Sequence, residues 1–249
     1  MSINSTLGVL SSIVLFVPVI LIIGFKLFTK RSFLALSLYY FVSGVYNLIS
    51  QNVLNAPATI ARPLGIIVNL LDAPLMLLFL IFFGTSVLMK KRITRAIFIF
   101  LVFEVIIMLI YGFTVKAVKI ILGPDIAIII ALSFLFFMRN VKLAVTNQKS
   151  LGKAIMASSV LLSYTIFTVV YIFYYLVKTG QYRDDAELVY YLVTILSVIL
   201  MSIGIVIENK RIKKLGELKN TRKELAIIYG KTKAADLNQD SRFLKTNGF

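Results

Sequence analysis

Seven apolar stretches, separated by short polar connections, dominate the sequence and leave few folds open to it. Each stretch is close to the roughly 20 residues a helix needs to cross hydrocarbon. They run Leu7–Phe28, Phe33–Leu54, Pro63–Met89, Ala96–Thr114, Ile120–Met138, Ala154–Val177 and Leu188–Ile207. Lipid offers no partner to a stray backbone N–H or C=O, so helices are the expected form. The fold class read from the sequence is an all-α integral membrane bundle of seven transmembrane helices. Residues 1–207 form the membrane domain. Residues 208–249 form a basic cytoplasmic tail, an amphipathic helix to about Tyr229 and then disordered chain.

The charge pattern gives an orientation. The formal net charge is +16, which for a soluble chain would suggest nucleic acid. Here the basic residues sit in loops and the tail, so the reading is topogenic and no nucleic-acid partner is expected. With the amino terminus placed outside, the short inner connections carry 11 Lys and Arg against 5 on the outer ones. An even number of spans would spoil this alternation. The first span has no basic residue before it and its basic cluster after it, so it reads as a retained helix, not a cleaved signal. The expected location is the plasma membrane, with the carboxyl tail cytoplasmic.

Residues inside the spans are the candidates for function. Asp72, Glu104 and Asp125 fall within the third, fourth and fifth spans, at a cost of roughly 2.5–3.5 kcal/mol each on insertion scales. No Lys or Arg lies at comparable depth. The acids are therefore expected to be protonated, or to face water or bound cations. Asn47 and Asn69 add polar groups at similar depth, and Asn69 shares a helix face with Asp72. The sixth span is hydroxyl-rich. Its Tyr164 and Tyr171, seven residues apart, would line one wall of an apolar ligand pocket or pack with bonded hydroxyls. Tyr174, Tyr175, Tyr190 and Tyr191 fit an interfacial tyrosine belt. Pro74 and Pro124 should bend their helices. In the tail, Lys210, Arg211, Lys213, Lys214, Leu215 and Leu218 are candidates for contact with anionic headgroups or with a partner helix, either a membrane protein or a second copy.

Enzymatic function is disfavoured by what is missing. Histidine and cysteine are absent, which removes Ser-His dyads, thiol nucleophiles and His or Cys metal sites. No Gly-rich phosphate loop occurs. A membrane aspartyl centre would need two facing carboxylates, for which Asp72 and Asp125 are the candidates. No cofactor and no metal are expected.

The stretch Leu71-Asp72-Ala73-Pro74-Leu75-Met76-Leu77-Leu78 resembles the third helix of microbial rhodopsins. Glu187 to Lys210 is similar to that family's last helix, with Ser197 two residues before the retinal-lysine position. That position is Ile199 here, and the acid one turn earlier is Ile195. The resemblance therefore implies the seven-helix scaffold and a cavity, not retinal attachment, since a Schiff base needs an amine. Asp72 is displaced from the family's counterion, lying two residues before the proline instead of six. The function expected from all of this is a non-enzymatic, receptor-like sensor or interaction protein binding an apolar ligand or a membrane partner. The alternatives are a small transporter or proton/cation channel using the intramembrane acids, and a structural subunit of a membrane complex.

Overall fold

The computed structural model describes residues 3–84, 86–147, 150–173 and 183–246. Tyr174 and Tyr175 of the expected tyrosine belt, and Lys149 and Lys178, two of the basic residues counted in the connections, lie outside these residues. Among the described residues every regular element is helical, and seven helical spans are long and apolar enough to cross a membrane. Helices α1 (Ile3–Val14) and α2 (Phe16–Gly24) together make the first span. Then follow α3 (Arg31–Ser50), α4 (Ala58–Leu80), α5 (Val87–Tyr111), α6 (Val115–Asn147), α7 (Leu151–Tyr171) and α8 (Arg183–Thr246).

The spans are predicted correctly in number, but several ends move. The expected third span ran unbroken to Met89. Instead α4 closes in a 3-10 turn, Ile81–Phe83, and α5 starts at Val87. Ser86 caps α5 by accepting from the Met89 backbone N–H at 3.1 Å. Lys90, Lys91, Arg92 and Arg95, expected in a loop, therefore occupy the first turns of α5. Replacing Ser86 by alanine should cost about 1 kcal/mol of bundle stability, the usual loss for a missing N-cap, read as a shift in an SDS unfolding titration. At the other end of α5, Gly112 adopts φ 68, a left-handed conformation that favours glycine. Thr114 then caps α6, which continues past the expected end at Met138 through Arg139 and Lys142. Helix α8 is likewise assigned to Thr246, beyond the expected end near Tyr229. No proline or glycine interrupts residues 231–246.

Residues 1–208 form one compact unit and residues 209–249 a second. Within the first, α3 packs on α2 and α4, while α6 packs on α4 and α7. Its outward surface is apolar, most plainly on α5, where Phe98, Ile99 and Leu109 are 69%, 67% and 80% exposed. Such a surface is untenable in water and natural against lipid.

Because lipid tails are as apolar as leucine, helices in a membrane associate through close packing and polar contacts. Helices α7 and α8 show this directly. A Cβ on Gly152 would lie 2.8 Å from the Glu208 backbone nitrogen, and one on Gly204 would lie 3.1 Å from the Gly152 carbonyl. The two backbones thus touch where only glycine fits. Nearer the middle of the bundle, the Ser159 hydroxyl donates to the Ser197 carbonyl at 2.6 Å.

At the end of the bundle where α3, α5 and α7 begin, the interior is filled with phenylalanine. Phe33, Phe79, Phe83 and Phe136 are completely buried. Ring centroids are 5.3 Å apart for Phe79–Phe83 and 5.6 Å for Phe83–Phe136. Phe82 joins them 4.9 Å from Phe33. Lys153 lies over the Phe82 ring at 4.4 Å and donates to the Phe82 carbonyl at 3.3 Å.

Candidate functional site

The opposite half of the bundle is hollow. A cavity of about 450 Å³ lies among α3, α4, α7 and α8 and reaches the helix ends at Gln51 and Glu187. Small-molecule sites usually fall between about 300 and 1,000 Å³. Each helix supplies a polar stripe at three- and four-residue spacing, which keeps successive side chains on one face. On α3 the stripe is Tyr39, Tyr40, Ser43, Tyr46, Asn47 and Ser50. Tyr46 fits because it lies against Gly65 of α4, where a Cβ would meet its hydroxyl at 2.7 Å.

Asp72 of α4 is the carboxyl in the cavity wall at mid-depth, and Glu187 lies near the open end. Asp72 accepts a hydrogen bond from the Tyr164 hydroxyl at 2.9 Å. Tyr39 stands close to both Asp72 and Tyr164. Behind Asp72 stands Asp125 of α6. The two carboxyls face each other closely enough to interact directly. Asp125 is wholly buried, and neither of its oxygens receives a hydrogen bond from a donor in the chain. A carboxyl–carboxyl contact in a dry interior is stable only if a proton or another cation lies with the pair.

The sequence-predicted residues divide accordingly. Asp72, Asn47, Asn69, Tyr164 and Tyr171 all line the cavity. Asn47 lies near Tyr190, and Asn69 donates to the Gly65 carbonyl of its own helix at 2.6 Å. Tyr171 donates across to the Lys119 carbonyl of α6 at 2.9 Å. Asp125 lies one layer behind the wall. Glu104 is elsewhere, in a separate apolar cleft of about 270 Å³ between α4 and α5 with Leu70 and Met108. It is 6% exposed with Oε1 unpartnered, and it senses Asp72 and Asp125 only through space. In the second unit, Lys213, Lys214, Leu215 and Leu218 are exposed along α8.

Two assignments change. Tyr190 and Tyr191, expected in an interfacial belt, line the cavity, and Tyr191 accepts from the Gln51 amide at 2.7 Å. Their position on α8 turns them inward, which composition alone does not reveal. The α3 stripe went unrecognised as a whole, although its spacing was legible. Elsewhere, Asn140 is buried near the carboxyl end of α6, its carbonyl accepting from Ser150 at 3.0 Å.

The arrangement bears on chemistry as well as binding. Aspartyl hydrolysis needs one water held between two carboxyls within reach of a substrate. Asp72 lines the cavity and Asp125 does not. Among the described residues no group of three metal-binding side chains is found. No family model, curated protein or solved structure matches the chain.

Proposed function

We propose that this multi-pass membrane protein is a non-enzymatic sensor that holds a small molecule inside its bundle. The observation carrying this reading is the 450 Å³ cavity, polar along every wall and reaching one end of the helices. The sequence suggested an apolar ligand. The hydroxyls, amides and acid in the wall support an amphipathic one, because polar groups left unmatched by an apolar occupant would be costly. The bundle is taken to sit in the plasma membrane with its amino terminus outside, as the loop charges favour. The cavity would then face outward. The basic segment of α8 from Lys210 and Arg211 to Leu218 would meet anionic headgroups or a membrane partner inside.

The phenylalanine layer supports sensing over conduction. A channel or carrier needs a polar route to both ends, and the layer fills the interior beyond the cavity. The transport reading predicts proton or cation flux in liposomes that falls with Asp72→Asn; the sensor reading predicts none. Microbial-rhodopsin ancestry would account for the scaffold but would not supply the chromophore lysine.

The chain contains no cysteine, so single introduced thiols report accessibility cleanly. Ser163→Cys, in the cavity wall, should react with N-ethylmaleimide in intact membranes at least about tenfold faster than Ser133→Cys, since reaction requires access to the thiolate. Ser133 is completely buried in α6. Equal, slow labelling at the two sites would mean that no accessible cavity exists and would remove this reading.

A further inference from the structure

We propose that the cavity accepts a small organic cation, an ammonium group carried on an apolar or aromatic body, with Asp72 as its counter-charge. This rests on the reading of the cavity as a ligand site and goes on to name the ligand's chemistry.

Three independent features of the wall point the same way. The first is charge. The ionisable carboxylates lining the cavity are Asp72 and Glu187, and among the described residues no Lys or Arg lines it. Of the cations near this end, Lys116 lies 4.9 Å over the Tyr111 ring. An anionic ligand would therefore meet carboxylates and no partner, whereas a cation meets complementary charge.

The second is the aromatic lining. Seven tyrosines contribute to the wall: Tyr39, Tyr40, Tyr46, Tyr164, Tyr171, Tyr190 and Tyr191. The face of a tyrosine ring carries negative potential, and clusters of such faces recognise ammonium groups. The same rings offer flat apolar surface to the rest of the molecule.

The third is the unmet hydrogen bonding behind Asp72. Tyr164 donates to Asp72, but Asp125 behind it receives nothing from the chain. The groups facing this pair are tyrosine hydroxyls from α3 and α7, with Glu104 of α5 acting through space. None brings positive charge. An ammonium seated at Asp72 supplies the positive charge that this acid pair lacks.

The ammonium could belong to a free amine or to the headgroup of an amine-bearing lipid. The test uses the full chain in phosphatidylglycerol nanodiscs, which contain no amine. Its 12 tyrosines and absence of tryptophan make tyrosine fluorescence a direct report of cavity occupancy. Protonated 2-phenylethylamine should bind about tenfold tighter than the neutral 2-phenylethanol, the scale of one desolvated ammonium–carboxylate and ring contact. Asp72→Asn should remove that preference while leaving the alcohol's affinity in place. In phosphatidylcholine nanodiscs, weakened amine binding assigns the site to a lipid headgroup, and unchanged binding assigns it to a free amine.

A second measurement does not depend on the Asp72 variant folding. Ser163→Cys should react faster with a trimethylammonium-ethyl methanethiosulfonate than with its sulfonate counterpart. The ratio should exceed that at Asn55→Cys, an exposed position in the loop before α4. Equal affinity for amine and alcohol, or a reagent ratio no higher than at residue 55, overturns the cation assignment while the accessible cavity stands. So does failure of either probe to bind when Ser163→Cys still labels with N-ethylmaleimide. Loss of that labelling overturns the cavity reading itself.

Discussion

Truncating Phe83 to alanine should destabilise the bundle by about 2 kcal/mol, and the medium sets that size. In a soluble core, deleting a buried phenylalanine loses both transfer free energy and cavity contacts, about 3–5 kcal/mol together. Here the unfolded reference helices already sit in hydrocarbon, so the transfer part largely vanishes. What remains is the void. With roughly 100 Å³ of ring removed at about 24 cal/mol per Å³, that leaves about 2 kcal/mol. Phe83 has no exposed surface and packs against Phe79, Phe82 and Phe136, so neighbouring rings on three elements limit collapse of the void. Phe98, 69% exposed on α5, is the control. Its truncation exchanges protein for lipid at a surface already wetted by lipid, and should move the SDS unfolding midpoint little. If both substitutions cost the same, the phenylalanine layer is not the packed seal of the bundle.

The same feature explains why the fold was readable and the site only partly so. Hydrophobic length fixes the number of spans directly, because hydrocarbon thickness is a hard constraint. It does not fix helix ends. The break between α4 and α5 was hidden between Ile81-Phe82-Phe83 and Val87-Leu88-Met89, where averaged hydropathy sees one continuous run and only the Ser86 cap marks it. Helix α6 runs on through Arg139 and Lys142 because leaving the bilayer ends apolar character without ending backbone hydrogen bonding. Intramembrane acids were legible as anomalies, since each is costly in lipid. That Asp72 meets Asp125 while Glu104 faces a different cleft depends on which sides of α4, α5 and α6 adjoin, a non-local fact. Tyr190 shows the limit most clearly. A tyrosine near a span end satisfies the interfacial rule and the cavity equally well, and only its place beside Asn47 of α3 in the cavity wall decides between them.

Asparagine at position 125 should make the protein more stable, by about 1–3 kcal/mol, the cost of one buried polar group without a partner. The direction is opposite to that expected for most buried polar substitutions, and it follows from what surrounds Asp125. The side chain is wholly enclosed, receives no donor, and faces another carboxyl. Asparagine has nearly the same shape, so packing is retained. Its amide N–H can donate to Asp72, replacing a carboxyl–carboxyl contact with an ordinary hydrogen bond. Asp72→Asn should stabilise less, because Tyr164 already donates to that carboxylate and would lose its charged acceptor. The two variants should separate in binding as well. Asp125→Asn leaves Asp72 charged, so the preference for an amine survives; Asp72→Asn abolishes it. The SDS unfolding midpoint and the amine-to-alcohol affinity ratio, measured on both proteins, give four numbers with a definite sign pattern. Destabilisation by Asp125→Asn would show that its carboxylate has a donor or cation of its own, and Asp125 would then be a satisfied group and not the unmet half of an acid pair.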